Sequence, residues 1–190
     1  MRETLLDARM RALACRACPL RDGATQVVFG DGTPIAKTML IGEAPGADED
    51  RLGKPFVGRA GQLLDTLIAR LGWRRGLDIY ITNVPKCRPP GTRAPPPAEA
   101  AACRVHLDAE IRLVRPERIL LMGATAAREL VGWTGALGRA REHEFLINGI
   151  PARVTYHPAY ILRQHGEARR KAEEAFLEDA RKLLEAASIG

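Results

Sequence analysis

The chain has 190 residues, 46% of them hydrophobic, and 29 Lys and Arg against 23 Asp and Glu give it a net charge of +6. This length predicts one domain over residues 1–190 with a real core, and it excludes a disordered chain. The charged N-terminus and the absence of a long apolar run exclude a signal peptide and a membrane span, so we expect a cytoplasmic, prokaryotic-type protein. The basic charge is compatible with a nucleic-acid partner, although the excess of Arg over Lys fits a compositional bias equally well.

Four short apolar runs predict buried parallel strands, because they do not alternate polar with apolar residues. The runs are Thr38–Gly42, 78–82, Arg118–Met122 and 152–156. Apolar stripes at helical spacing lie around and between them. The stripes are Leu5, Leu6, Met10 and Leu13; Leu63, Leu64, Leu67, Ile68 and Leu71; Cys103, Leu107, Ile111 and Val114; the segment Ala124–Val131; and Ala172, Phe176, Ala180, Leu183, Leu184 and Ala187. This alternation predicts an α/β fold, a three-layer α/β/α sandwich around a central four-stranded parallel sheet.

Polar residues follow three of the four predicted strands directly. Glu43 follows the first strand, Asn83 the second and His157 the fourth. Because ligands of open parallel sheets bind at the carboxyl ends of the strands, we expect a carboxylate, a carboxamide and an imidazole at one edge of the sheet. The remaining histidines are interpreted as structural: His106, His143 and His165.

The four cysteines form one tight pair and two spread positions. Cys15 and Cys18 make a C-x-x-C sequence, whereas Cys87 and Cys103 are far apart and lie in a predicted loop and a predicted helix. This spacing suits an iron–sulfur cluster at least as well as a zinc ion, and four unrelated cysteines remain a third interpretation. Structural disulfides are not expected in a reducing compartment.

Residues 42–61 form a Gly-rich connection after the first strand. Its glycines allow the backbone to approach a flat ligand, and Phe56 offers a ring face for stacking on a base. A Phe that fills the core is the alternative interpretation. The segment matches neither a phosphate-binding P-loop nor a dinucleotide fingerprint. A carboxamide such as that of Asn83 suits the edge of a pyrimidine, although Asn also commonly caps turns.

Three motifs, taken with the four cysteines, resemble those of the family 4 uracil-DNA glycosylases, the iron–sulfur branch of their superfamily. The motifs are 42–46, 82–91 and 157–163, in the order of that family, and the resemblance covers nearly the whole chain. It implies a glycosylase that flips uracil out of double- or single-stranded DNA and excises it. It also implies a [4Fe–4S] cluster held by Cys15, Cys18, Cys87 and Cys103.

The resemblance also implies a set of site residues. Uracil would be bound by Gly42, Ala44, Glu49, Phe56, Asn83 and His157, and DNA by Lys86, Pro158, Ala159 and Arg163. In this set Phe56 stacks on the flipped base, Asn83 reads its edge and His157 stabilises charge on the leaving base.

The expected chemistry is hydrolysis by a monomeric, monofunctional enzyme. Ala44 stands where another glycosylase family has a water-activating Asp, so Glu43 is the candidate for positioning water or stabilising the sugar cation. Glu43, Asn83 and His157 are therefore the predicted catalytic residues. The alternative is a non-catalytic iron–sulfur or zinc protein that binds nucleic acid.

Overall fold

A computed structural model describes residues 3–91 and 93–186. Its helices are α1 (Leu5–Leu13), α2 (Leu20–Gly23), α3 (Ala47–Leu52), α4 (Arg59–Arg70), α5 (Pro97–Val114), α6 (Ala124–Val131), α7 (Leu137–Ala140), α8 (Pro158–Leu162) and α9 (Gly166–Ala186). Its strands are β1 (Asp31–Gly32), β2 (Thr38–Gly42), β3 (Ile79–Asn83), β4 (Arg118–Met122), β5 (Phe145–Ile147) and β6 (Ile150–Thr155). Ala187, predicted for the last helical stripe, lies outside the described residues. None of the helices described is long and apolar enough to cross a membrane.

The strands form one sheet in the order β1-β3-β2-β4-β6-β5. The four central strands are parallel and correspond to the four predicted ones, whereas β1 and β5 pair antiparallel at the two edges. The edge strands were not predicted, because two or three residues are too short to show a pattern. Strand β2 has β3 on one side and β4 on the other, which places a crevice at its carboxyl end.

Helices cover both faces of the sheet, which confirms the predicted three-layer α/β fold. Met39 and Ile41 of β2 pack with α5 and α6, whereas Leu40 between them packs with α4 and α9. This alternation follows from the two-residue period of a strand. Each fully buried aliphatic side chain of this kind contributes about 1.5–3 kcal/mol.

Helix α1 departs from its predicted packing. It lies against α5 through the small side chains Ala8 and Ala12, which are fully buried. Of the predicted stripe only Leu5 packs against the core, partly buried, whereas Leu6, Met10 and Leu13 are 66%, 59% and 40% exposed. Small residues let two helices approach closely, and hydrophobicity alone does not reveal that preference.

Candidate active site

A cleft of about 360 Å³ lies at the carboxyl ends of the central strands. Glu43 after β2, Asn83 at the end of β3 and His157 after β6 all line it. The sheet therefore brings together the three residues that the strand-end argument predicted. Phe56, Ala44 and Glu49 line the same cleft.

A larger groove, of about 860 Å³, lies along α5. It has a basic rim, but Arg11 and Arg112 are ion-paired with Glu3, and Arg104 is ion-paired with Asp108. None of the strand-end residues lines this groove. The smaller cleft is therefore the candidate active site, because reactive groups converge there and not in the groove.

His157 begins α8 with its side chain as the cap. Its Nδ1 accepts a hydrogen bond from the backbone N–H of Ala159 at 3.1 Å. A neutral imidazole in this arrangement carries its proton on Nε2, which is buried and has no partner among the described residues. Burial lowers the pKa of His157 to about 4 despite the nearby Glu43 carboxylate. At neutral pH the cleft therefore contains an uncharged N–H donor ready for a ligand.

Asn83 presents a second unused polar atom. The residue is 2% exposed, and its Oδ1 finds no hydrogen-bond partner in the described part of the chain. Gly42 on the adjacent strand makes room for it: a Cβ there would lie 2.6 Å from Oδ1 and 2.4 Å from the Phe56 ring atom Cζ. A side chain at position 42 would displace both groups.

Phe56 adopts a strained backbone conformation, with φ of 52°. Left-handed geometry costs a non-glycine residue about 1–3 kcal/mol and persists where surrounding contacts impose it. Here the Arg75 guanidinium donates to the Phe56 carbonyl oxygen at 2.6 Å and to the Pro55 carbonyl oxygen. Gly61 permits the turn, because a Cβ there would lie 1.9 Å from the same Phe56 oxygen. The Phe56 ring lies 5.6 Å from the imidazole of His157, centre to centre.

Glu49 joins the two loops that form one wall of the cleft. One carboxylate oxygen accepts from the backbone N–H groups of Val57 and Gly58, both at 2.8 Å. The other accepts from the N–H of Gly46 at 3.0 Å. Backbone donors thus engage both oxygens, so Glu49 shapes the cleft by fixing the loop that follows Phe56.

The Glu43 carboxylate has a partner that the sequence analysis missed. Thr125 in the first turn of α6 donates its hydroxyl to Glu43 Oε2 at 2.6 Å and is itself 3% exposed. Strand β4 ends at Met122 and is followed by Gly123, so no polar residue marks this strand end in the sequence. Strand β4 therefore contributes to the site through a hydroxyl inside the following helix.

The family model for the uracil DNA glycosylase superfamily matches residues 29–181. The chain is also similar to proteins named type-4 uracil-DNA glycosylase. That of Thermotoga maritima is 39% identical over 186 residues, which cover 96% of either chain. That of Pyrobaculum aerophilum is 42% identical over 158 residues, 79% of this chain and 80% of the relative. That of Archaeoglobus fulgidus is 39% identical over 168 residues, 84% of each.

The chain belongs to the type-4 branch of the uracil-DNA glycosylase superfamily. The resemblance of its three motifs to that family is thereby confirmed. Three of the four residues predicted for DNA binding lie on or next to α8, and Ala159 among them lines the cleft. Pro158 is buried, Ala159 is half-buried and Arg163 at the end of α8 is exposed.

The four cysteines of this uracil-DNA glycosylase family member line one small cavity. Burial, with smaller contributions from the neighbouring Cys103 and Cys18, raises the pKa of Cys87 to about 12. Backbone N–H groups already point at two of the sulfurs: Ala17 donates to Cys15 and Lys86 to Cys103, at 3.4 and 3.2 Å. Within residues 3–91 and 93–186 no group of three or more Cys, His, Asp or Glu side chains is placed to hold a metal ion. The cavity brings the four cysteines together from three segments of the chain.

The prediction that Lys86 contacts DNA is corrected by its burial. Its side chain is 1% exposed, and its ammonium lies 2.6 Å from a carboxylate oxygen of Glu110, which is fully buried. The same ammonium donates to the Thr82 hydroxyl at 2.7 Å and to the Asn83 carbonyl oxygen at 2.6 Å. Lys86 therefore fixes the backbone at Asn83 from inside the protein and presents no charge to a phosphate.

Proposed function

We propose that this chain is a monofunctional DNA glycosylase that hydrolyses the N-glycosidic bond of uracil in DNA and leaves an abasic site. One observation carries the proposal. Asn83 Oδ1 is a buried acceptor and His157 Nε2 a buried donor, neither has a partner among the described residues, and both residues share a cleft with the ring of Phe56. Uracil offers the complementary groups, an N3–H donor and carbonyl acceptors on a flat ring.

Recognition of uracil follows from these two atoms. Asn83 Oδ1 accepts from N3–H of the base, and the Phe56 ring stacks on its face. Cytosine has a lone pair at N3 in place of this hydrogen. Its N3 and Asn83 Oδ1 would then be two acceptors facing each other without a hydrogen between them. Leaving a buried acceptor unpaired costs about 1–3 kcal/mol, which disfavours cytosine in the cleft.

Bond cleavage places positive charge on the sugar and negative charge on the departing base. The neutral His157 donates from Nε2 to a uracil oxygen, and this hydrogen bond strengthens as charge develops. The electron pair of the C1′–N1 bond leaves with the base, and a water oxygen adds to C1′. The Glu43 carboxylate, held by Thr125, orients that water and offsets the sugar charge.

The DNA must deliver an extruded base to the cleft. A uracil mispaired with guanine costs less to extrude than a base in a normal pair. Half-buried Arg88 lines the cleft and exposed Arg163 ends α8, and both would neutralise phosphates, so binding weakens as salt rises. We take residues 1–190 to act as one domain and as a monomer on either double- or single-stranded DNA.

The cysteine cavity supports a [4Fe–4S] cluster on Cys15, Cys18, Cys87 and Cys103. The donor set fits, because four sulfurs meet in one cavity and backbone N–H groups point at two of them. When bound, the cluster supplies a cross-link between the N-terminal segment, the loop after Asn83 and helix α5. Metal loss is expected to loosen the loop that presents Asn83. A brown protein with absorbance near 400 nm supports the cluster, whereas a colourless zinc protein contradicts it.

The test is excision from a labelled oligonucleotide with one U·G mismatch. Protein and oligonucleotide are incubated and then heated in alkali, which breaks the strand at abasic sites. Scission at the uracil alone is expected, and scission without alkali would contradict a monofunctional enzyme. No scission by a folded, brown preparation would favour a binding protein without this activity.

A His157→Ala variant separates catalysis from binding. Loss of a preorganised donor typically costs about 2.7–4 kcal/mol, so turnover should fall roughly 10²–10³-fold while DNA affinity is retained. The matched control is His165→Ala, because His165 is exposed. Unchanged turnover in His157→Ala would overturn the role assigned to this imidazole.

A further inference from the structure

The cysteine cavity contains a histidine whose side chain has no hydrogen-bond partner among the described residues. His106 is 4% exposed, and neither of its ring nitrogens has a hydrogen-bond partner among the described residues. A neutral imidazole always carries one N–H, so a buried donor is unused here. Leaving such a donor unpaired costs about 1–3 kcal/mol, which makes a purely structural interpretation of His106 incomplete.

The two cationic side chains of the cavity each have at least one partner. Lys86 is paired with Glu110, and the guanidinium of Arg21 donates to the Ala24 carbonyl oxygen at 3.0 Å, although Arg21 Nε has no partner among the described residues. His106 differs from both because neither of its nitrogens contacts an acceptor in the described chain.

The position of His106 on α5 points to its acceptor. Cys103 and His106 are three residues apart on the same helix, a spacing that makes side chains neighbours on one face. Both line the cavity together with Cys15, Cys18 and Cys87. The atoms that this cavity collects are sulfurs, and metal-bound thiolate or sulfide sulfur accepts hydrogen bonds.

We propose that the His106 imidazole donates an N–H···S hydrogen bond to the iron–sulfur cluster and tunes its stability and reduction potential. This inference rests on the cofactor part of the proposed function. Hydrogen bonds to the sulfurs of a cluster withdraw charge and favour its more negative, reduced state. Two backbone N–H groups already point at Cys15 and Cys103, and His106 adds a side-chain donor that a substitution can remove.

The experiment compares His106→Phe, which removes the donor, with His106→Gln, which keeps an N–H. His165→Phe is the control on an exposed histidine. At a fixed potential the reduced-to-oxidised ratio of His106→Phe should fall about threefold, which is about 28 mV for a one-electron couple. Cluster loss to a chelator, followed near 400 nm, should be at least about threefold faster, with His106→Gln between the variant and the wild type. A His106→Phe protein with wild-type potential and wild-type cluster loss would overturn the proposal.

A second measurement uses the unmodified chain, in case His106→Phe does not fold. Protein labelled with ¹⁵N-histidine is reduced, and pulsed electron paramagnetic resonance detects nitrogen near the cluster. A weak coupling to one histidine nitrogen is expected. A strong coupling, typical of a nitrogen bound to iron, or no coupling at all would overturn the hydrogen bond.

The same preparation is assayed for iron content and uracil excision. Iron-free protein would overturn the cofactor and this inference together, whereas absent excision with iron present would overturn only the activity. Failure of the cofactor assignment, of the glycosylase activity and of the His106 hydrogen bond would therefore each give a different set of results.

Discussion

Thr125 is expected to act on catalysis through Glu43, although it does not line the cleft. Its hydroxyl lies 2.6 Å from Glu43 Oε2, a separation typical of a charge-assisted O–H···O⁻ bond. Because Thr125 is 3% exposed, water does not readily replace the lost donor. A Thr125→Val substitution keeps the shape of the side chain and removes this hydrogen bond.

The magnitude follows from the charge on the acceptor. Hydrogen bonds to charged groups are worth about 1.5–3 kcal/mol. A fraction of this energy stabilises the transition state, because it keeps the Glu43 carboxylate oriented. If about half of that energy is lost, the rate falls roughly tenfold, because 1.36 kcal/mol corresponds to a factor of ten. The KM should stay within about twofold, since Thr125 is not placed to contact uracil.

Single-turnover excision of uracil from a U·G oligonucleotide measures the effect. Thr125→Ser, which keeps the hydroxyl, should retain most of the rate, and Thr134→Val on an exposed position is the matched control. In a Glu43→Gln background, adding Thr125→Val should change the rate less than about twofold, because the two residues form one unit. A full tenfold loss in both backgrounds would refute the idea that Thr125 acts through Glu43.

Three further predictions concern the site and its support. The pKa of His157 is about 4 in the folded protein against an ordinary value of 6.5. As the pH falls, the unfolded chain therefore takes up a proton at this histidine before the folded chain does. Stability should therefore fall by up to about 3 kcal/mol as the pH drops from 6.5 towards 4, and a urea titration of His157→Gln that keeps this slope would contradict it. Gly42→Ala should lower kcat/KM at least about tenfold, because the new methyl group would lie 2.4 Å from Phe56 Cζ; wild-type kinetics would contradict that contact. Lys86→Met should lower the free energy of unfolding by about 3–5 kcal/mol, because it leaves Glu110 buried and unpaired, without changing the salt dependence of DNA binding; a smaller salt slope would restore Lys86 as a phosphate contact.

The framework of the site is readable from the sequence because two regularities act together. Uninterrupted apolar runs identify strands that are covered on both faces, and parallel strands end at the same edge of the sheet. Together they bring Glu43, Asn83 and His157 to one place before any coordinates are known. The roles of these residues stay predictions, whereas their convergence is a property of the fold.

The contacts that support the site residues cannot be predicted from the sequence, because each joins residues that are distant along the chain. Arg75 holds the Phe56 carbonyl from 19 residues away, and Glu110 pairs with Lys86 across 24 residues. Nothing in the local pattern distinguishes these charged residues from solvated ones. The motif resemblance assigns Lys86 to DNA, and nothing in the motif shows that this side chain is buried. Thr125 was missed because a threonine among alanines carries no signal that distinguishes it from any other residue of a helix.

A buried polar atom without a hydrogen-bond partner identifies candidate functional residues that the sequence alone does not. His157 and His106 are both single histidines, and the strand-end argument selected the first and treated the second as structural. In the fold Nε2 of His157 and both ring nitrogens of His106 are buried with no partner among the described residues, and both histidines line a cavity. A folded protein tolerates such a cost where a ligand removes it, since the penalty of about 1–3 kcal/mol per group disappears on binding. The criterion that supports the candidate active-site cleft therefore also selects the cysteine cavity, and it supports both proposals, His157 as a donor to the base and His106 as a donor to the cluster.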